Sequence, residues 1–483
     1  MIERENLQNP ADLFASRFGL SRDVVRRVLA RALSKGGEFA ELYAEYHLGA
    51  SINLEDRNVK DTSEGVSLGV GVRVISGEQT GYGYTNDLAE EALLEVAETA
   101  AAVAARGSGA TTGVADLRSQ APRLKLYDPA SASYLAPLKT RLDLCLRAHT
   151  AAAELDTAVK QIRVGFGDSL RFLLIANSEG LLTCDVRPMV RLDVSVVAER
   201  GDRRESGYHG NGGRVGLEYF EHEETPETIG RKAAEEAVLL LDAVDPPAGE
   251  MPVVLAPGES GTMIHEAVGH LLEADANRKR QSIFWDKMGQ QVANANVTIF
   301  DDPTIPRFRG SYNVDDEGTE PRKTLLIERG VLRGYLLDRL SAKVLDMALT
   351  GHGRRENYQH VPIPRMSNTY LAAGEWDPQE ILASVKKGLY AVSYQGGQVE
   401  DTGKFTFSLS LAYLIEDGRL TAPVRQATLI GSNLDILQKI EMVGNDLKFS
   451  RQTGTCGKEG QSVPVTDGTP TVKIQKMTVG GKA

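Results

Sequence analysis

The run Gly261-Thr-Met-Ile-His265-Glu266-Ala-Val-Gly269-His270 places two imidazoles and a carboxylate within six residues. Neutral imidazole nitrogens bind zinc, and a glutamate beside the metal can take a proton from its water. The familiar zinc-protease arrangement H-E-x-x-H sets its histidines on one helix face. Here the spacing is i and i+5, about 140° around a regular helix, so both rings reach one ion only if the turn is bulged or unwound. Gly269 lies inside the motif, weakens a regular helix and suits such a distortion. The plainer alternative is an amphipathic helix whose histidines are surface or core residues.

Two histidines hold zinc poorly, and a peptidase site wants three protein ligands plus water. Glu273, Asp275, His352, His360 and Cys456 are the candidates for the third. Glu273 and Asp275 could ligate, could fix a histidine through its second nitrogen, or could simply be exposed. Cys456 sits between glycines in Gly454-Thr-Cys-Gly-Lys-Glu-Gly460. Such a turn can approach another element closely and offer a thiolate, although a buried apolar cysteine is the ordinary alternative. His352 and His360 flank a stretch bearing Arg354, Arg355 and Arg365. Those guanidiniums could orient a peptide carboxylate or carbonyl, or form a solvated basic loop. Asp315-Asp316-Glu317-Gly318 lacks the alternation of a calcium loop and reads as an acidic turn. His47, His149, His209 and His222 read as surface or core residues.

The elements that must position these groups follow from periodicity. A helix is predicted over 21–35, capped by Ser21 and stopped by Gly36, then strands over 42–54 and 66–84. A helix over 88–106 follows, with Asn86 or Asp87 as its cap and Gly107 as its stop. Residues 107–135 are rich in Gly, Thr, Ser and Pro and read as a long connection. A helix over 138–156 carries Cys145. Strands over 159–166, 170–177 and 181–198 come next, then a helix from Thr225-Pro226-Glu227 to about 241. The first half thus reads helix–strands–helix twice. Asp245-Pro-Pro-Ala-Gly-Glu250 is the strongest boundary. Beyond it come a strand over 252–256, the motif helix, a helix over 378–387 and short β segments at 324–327, 331–337, 390–394, 404–415 and 427–430. The expected fold class is α+β. An N-terminal domain over 1–245, with two sub-units at 1–125 and 126–245, packs helices on an antiparallel sheet. A β-rich domain over 246–483 carries an embedded metal-binding helix.

Composition excludes several function classes. The 483 residues carry a formal charge of −11, which argues against a nucleic-acid binder needing a basic surface. The three cysteines, Cys145, Cys184 and Cys456, form no C-x-x-C and suggest neither a disulfide framework nor a zinc knuckle. There is no signal-peptide pattern and no run of about 18 apolar residues, so a cytoplasmic protein that spans no membrane is expected.

Four stretches together resemble the TldD/PmbA family, once described as modulators of DNA gyrase, and its TldD-type branch. They are His-Glu-Ala-Val-Gly-His at 265–270, Gly-Arg-Arg at 353–355, Pro-Arg-Met-Ser-Asn-Thr at 364–369 and Gly-Thr-Cys-Gly-Lys-Glu-Gly-Gln-Ser-Val-Pro-Val at 454–465. The resemblance covers nearly the whole chain. It implies a metallopeptidase acting on unfolded or flexible peptides, with His265, His270 and Cys456 as metal ligands and Glu266 as catalytic acid/base. The expected cofactor is one divalent metal, zinc, with iron as the alternative. The implied partner is a PmbA-type subunit lacking the histidine motif, or a second copy. The substrate would bind extended, its backbone pairing with an edge strand of the β-rich domain. The competing reading is a peptide-binding or regulatory scaffold with a structural metal, which four protein ligands rather than three would favour.

Overall fold

A computed structural model describes residues 4–105, 113–400 and 403–480. The first half is built twice from one pattern. In the first copy, helix α1 (Arg22–Ala32) leads into strands β1 (Phe39–Glu55), β2 (Asn58–Ser76) and β3 (Gln79–Thr85) and helix α2 (Glu90–Ala104). In the second, helix α3 (Leu138–Ala153) leads into β4 (Val159–Asn177), β5 (Leu181–Arg200) and β6 (Arg203–Gly213) and helix α4 (Pro226–Leu240). The copies join through β1 and β4, which pair antiparallel from Glu41 opposite Asn177 to Glu55 opposite Arg163. One antiparallel sheet of order β3-β2-β1-β4-β5-β6 results, with the short strand Arg118–Ser119 added beside the start of β5.

Local chemistry explains these elements. Ser21 Oγ accepts from Val24 N–H, and Thr225 Oγ1 accepts from Thr228 N–H, so α1 and α4 both start on a capping hydroxyl. Along the strands, even-numbered residues such as Leu42, Ala44, Val72, Phe172 and Leu174 are buried beneath the helices. Odd-numbered ones such as Glu41, Tyr43, Arg73 and Leu173 face the second half of the chain. A glycine admits the closing helix in each copy. A Cβ on Gly81 would lie 2.0 Å from Ala100 O, and one on Gly207 would lie 2.2 Å from Ala233 O.

Several boundaries differ from those read in the sequence. The expected strands over 159–166 and 170–177 are one strand, because Gly167 and the residues beside it keep their register with β1. The run 66–84 is part of β2 plus β3, broken by a turn at Gly77 with φ of 61°. Helix α2 starts two residues late, at Glu90 with Ala89 as its cap, and Asp87 instead accepts from the Ala89 N–H. Arg106 and Gly107, expected as its end and stop, lie outside the described residues. The expected helix over 378–387 ends at Ala383, since the strand Lys387–Val399 needs the residues that follow.

From residue 249 onward the chain is mostly β. Strands Lys387–Val399, Gly249–Leu255, Val472–Gly480, Thr428–Ser432 and Lys404–Glu416 pair in that order. The first also pairs with the last, so the path closes on itself. A second, six-stranded sheet includes Ile299–Asp301, Asn368–Leu371 and Thr466–Thr469. The apolar core between them contains Val253, Phe284, Leu326, Leu336 and Phe407, all fully buried. The His265 segment is threaded through this core. Among the described residues no helix is long and apolar enough to cross a membrane.

Candidate metal centre

The chain from Gly261 to Leu272 is helical throughout but changes pitch. Gly261–Ile264 is α, His265–Gly269 is a π turn and His270–Leu272 is 3-10. The His270 N–H reaches back to His265 O, the i−5 bond that defines the wide turn. That extra residue per turn returns the His270 ring to the side of His265, with ring centroids 5.2 Å apart. Glycine is required at two places along it. A Cβ on Gly261 would lie 2.5 Å from Gly468 N, and one on Gly269 would lie 1.8 Å from Met366 Sδ. Gly269 therefore serves packing against Met366 as well as the change of pitch.

Cys456 comes to the same point from 191 residues away. It lies on a strand, Thr455–Lys458, hairpinned to Gln461–Pro464, with the turn at Glu459-Gly460 rather than at the cysteine itself. Its Sγ is 3.2 Å from His265 Nε2 and 3.2 Å from His270 Nε2. The three donor atoms lie within 4.8 Å of one another, and Cys456 is buried. Glu266 points to the open side: its Oε2 is 3.9 Å from His270 Nε2, and its side chain is 26 % exposed.

Both imidazoles are oriented through their second nitrogens. Glu273 Oε2 is 3.0 Å from His270 Nδ1, and Asp467 Oδ1 is 2.8 Å from His265 Nδ1. Each carboxylate leaves Nε2 turned toward the sulfur, the arrangement that positions histidine on a metal. Glu273 is itself fixed by Lys458 Nζ at 3.0 Å and by Met366 N–H. Asp275 pairs with Lys458 at 2.7 Å. His352 is committed to Asp301 and Thr350, and His360 to Asn357. Of the five third-donor candidates, only Cys456 meets both histidines. Asp467 was not apparent from sequence; the one signal is its place two residues beyond the distinctive 454–465 stretch.

The three arginines of the 353–365 region are buried, not solvated: Arg354, Arg355 and Arg365 are 4 %, 2 % and 0 % exposed. Two of them grip the Cys456 hairpin by its carbonyls. Arg365 donates to Cys456 O at 2.7 Å and Gln461 O at 3.2 Å, and Arg354 donates to Pro464 O at 2.8 Å. Arg309 adds Gly454 O at 2.7 Å. The acidic turn is likewise internal. Asp316 pairs with Arg187 at 2.7 Å, and Glu317 pairs with Arg73. His47, His149, His209 and His222 lie in the first half, away from the cluster; His47, with burial and Arg171 pushing it down to about 4, stays neutral.

The electrostatics favour a cation among these donors. Burial opposes ionisation of Cys456, but His265 and His270 outweigh it and bring the thiol down to about 5. Burial likewise opposes charge on His270, yet Glu273 and Cys456 raise it to about 10. Burial opposes charge on His265 too, and Asp467 and Cys456 again outweigh it and raise it. The pocket thus draws positive charge to its donors, a demand that one dication meets while leaving the imidazole nitrogens free to ligate, so the donor set fits a divalent metal. Burial raises the Glu266 carboxyl, and the two imidazoles pull against that rise.

Comparison with known proteins agrees along the chain. Residues 40–104, 134–241 and 248–481 match the models of PmbA/TldA metallopeptidase domain 1, the central domain and the C-terminal domain. A metalloprotease TldD homolog of Haemophilus influenzae is 42% identical over 451 residues, 92% of this chain and 93% of that one. A metalloprotease of Methanothermobacter thermautotrophicus is 35% identical over 92% of this chain and 96% of its own. In fold, the chain is similar to TldE from Thermococcus kodakarensis, with a TM-score of 0.74 and 19% identity over 95% of this chain and 100% of that one. The chain belongs to the PmbA/TldD family of metallopeptidases.

Proposed function

We propose that the protein hydrolyses unfolded or flexible peptides at a divalent metal, zinc in the first instance, held by His265, His270 and Cys456. The observation that carries this reading is the meeting of two Nε2 atoms and one thiolate sulfur beside a partly exposed glutamate. Two nitrogens and a sulfur suit zinc. Three side-chain donors are the number expected of a catalytic site, which keeps a position open. A zinc ion bound there supplies Lewis acidity toward the scissile carbonyl and acidifies water. Glu266 Oε2 takes the proton of the attacking water and passes it to the leaving amine. Asp467 and Glu273 hold the Nδ1 protons of the two histidines and so keep both Nε2 lone pairs available. Work with a PmbA-type subunit, or with a second copy, belongs to the same proposal, and light scattering and pull-down with such a subunit test it.

The test combines metal analysis with mass-spectrometric detection of peptide cleavage. Glu266→Gln is expected to keep its metal and to lose at least 100-fold in turnover, the scale of a general base. Cys456→Ala is expected to lose the metal. Near-normal turnover in the first variant, or full metal occupancy in the second, would overturn the assignment.

A further inference from the structure

A cleft of about 670 Å³ lies between the odd-numbered face of the N-terminal sheet and the outer side of the Cys456 hairpin. Its floor is nearly bare. Gly49 on β1 stands opposite Gly65 on β2 and Ser169 on β4. In the next row, Ser51 stands opposite Ser63 and Gly167. A Cβ on Gly65 or on Gly167 would meet nothing within 4 Å. These glycines face open space, unlike Gly81 and Gly207, whose missing side chains admit a helix. Glycine within a strand weakens it and often marks a place where another backbone comes close.

The walls are cationic in an unusual way. Arg171, Arg187 and Arg355 line the cleft, and each has a carboxylate: Glu45, Asp316 and Glu41 respectively. Arg214, Arg309 and Arg354 also line it, but among the described residues none of the three pairs with a carboxylate. Their hydrogen bonds go to neutral groups: Pro188 O and Ser311 O for Arg214, Gly454 O and Thr455 Oγ1 for Arg309, Pro464 O and Met366 O for Arg354. Arg214 and Arg354 are each only 4 % exposed. Burial and neighbouring guanidiniums push all three below the ordinary arginine value, whereas Arg187 and Arg355 are raised by their carboxylates against the same burial. A buried cation without an anion is costly, and a planar carboxylate is the anion a guanidinium fork matches best.

We propose that this cleft is the receptor for a peptide carboxylate, with Arg214, Arg309 and Arg354 as its cationic wall and the glycine-bearing floor as the bed of the extended chain. Arg309 and Arg354 hold carbonyls on either side of Cys456, so the anchored group sits against the hairpin that carries the sulfur. The inference rests on the peptide-hydrolysing reading above and adds a selectivity to it. Peptides carrying a carboxylate, from the C-terminus or from an acidic side chain, are preferred over those without one.

The experiment uses the full-length, metal-loaded Glu266→Gln protein and an unstructured decapeptide with a neutral N-terminal fluorophore, read by fluorescence anisotropy. Three forms are compared: a free acid with no acidic side chain, its C-terminal amide, and the amide with one internal Asp. Loss of about tenfold in affinity on amidation, the size of one charge-assisted contact, identifies the C-terminus as the anion. Recovery of about tenfold by the internal Asp identifies the side chain. Arg214→Gln is expected to abolish whichever difference is found. Equal affinity of all three forms, or binding of none, overturns the proposal whether or not that variant folds. Carboxylate-dependent binding by a wild-type protein that cleaves none of the peptides would leave the receptor standing and remove the peptidase reading.

Discussion

Asp467 and Glu273 do for the two histidines what no local sequence pattern discloses. Each fixes one Nδ1, and each stands on a different element: Glu273 just beyond the π turn, Asp467 on the strand Thr466–Thr469. Asp467→Asn keeps the size of the side chain and removes its charge. Metal affinity is expected to fall 10- to 100-fold with the fold unchanged, checked by competition with a chelator and by circular dichroism. Unaltered affinity would mean that the His265 ring is held by packing alone. His265, Glu266 and His270 were legible because they fall within six residues. Spacing alone left Cys456 as one of five candidates, because the 191 residues between it and His265 carry no local periodicity, and the family resemblance singled it out. The buried arginines misled for a physical reason: Gly-Arg-Arg reads as solvated unless their partners, carbonyls and carboxylates far along the chain, are already in place.

At the scale of elements, alternation and capping residues carry most of the fold. The 3.6-residue and 2-residue periods locate α1–α4, β1, β4 and β5 and run β2 into β3; β6, polar and glycine-rich, carries no such period. The doubling of one helix–strands–helix pattern is visible in the order of the elements. The register is not. It depends on β1 choosing β4, a long-range pairing that leaves no mark on either strand. The change of pitch at His265–Gly269 was foreseeable from the spacing of the histidines, because only a widened turn serves both. Gly269→Ala tests what the turn requires. Alanine improves helix propensity by about 1 kcal/mol, yet its Cβ would lie 1.8 Å from Met366 Sδ. The expected net result is a loss of about 1–3 kcal/mol by urea denaturation, with His270 displaced and metal content reduced. Acid sensitivity belongs to another junction. Glu224, just before α4, accepts from His209 at 2.9 Å, from Lys232 at 2.6 Å and from Asn211. Burial opposes its charge, but these donors prevail and bring it down to about 2. A carboxyl depressed in the folded state stabilises it above the unfolded value of about 4.3, and that contribution is lost as pH falls toward 2. Glu224→Gln is expected to remove on the order of 3 kcal/mol of the stability difference between pH 6 and pH 2. Thermal unfolding at the two pH values measures it, and an unchanged difference would place the acid-labile group elsewhere.

The two halves of the molecule meet through buried charge as well as apolar packing, the latter where Phe39 and Ile75 meet Leu340 and where Tyr43, Leu173 and Ile175 meet Tyr358. Arg73 on β2 bridges Glu41 on β1, at 2.7 Å, and Glu317 of the acidic turn. Glu41 reaches on to Arg355, whose N–H donates to Asp316 at 2.9 Å, and Asp316 pairs with Arg187 on β5. Glu317 also accepts from the Arg339 N–H at 2.7 Å. Arg73, Glu41, Glu317 and Arg355 are all at most 2 % exposed. Taking these ions from water is expensive, and only mutual pairing with nearly complete hydrogen bonding offsets it. The network is therefore sensitive to loss of one member and tolerant of balanced replacement. Arg73→Met strands Glu317 and leaves Glu41 to Arg355 alone, and is expected to destabilise the protein by about 3–5 kcal/mol in urea denaturation. Arg73→Met/Glu317→Gln removes one stranded charge and keeps an acceptor for Arg339, so it should recover a substantial part of that loss. The same network supports the arginine-lined cleft and, through the chain that runs from Arg354 and Arg355 to the Cys456 hairpin, the cluster of His265, His270 and Cys456. Metal affinity should accordingly fall in the single variant and return in the double, measured at a urea concentration where both remain folded. Additive losses in the double variant would show that Arg73 acts on Glu41 alone and that the two halves are coupled elsewhere.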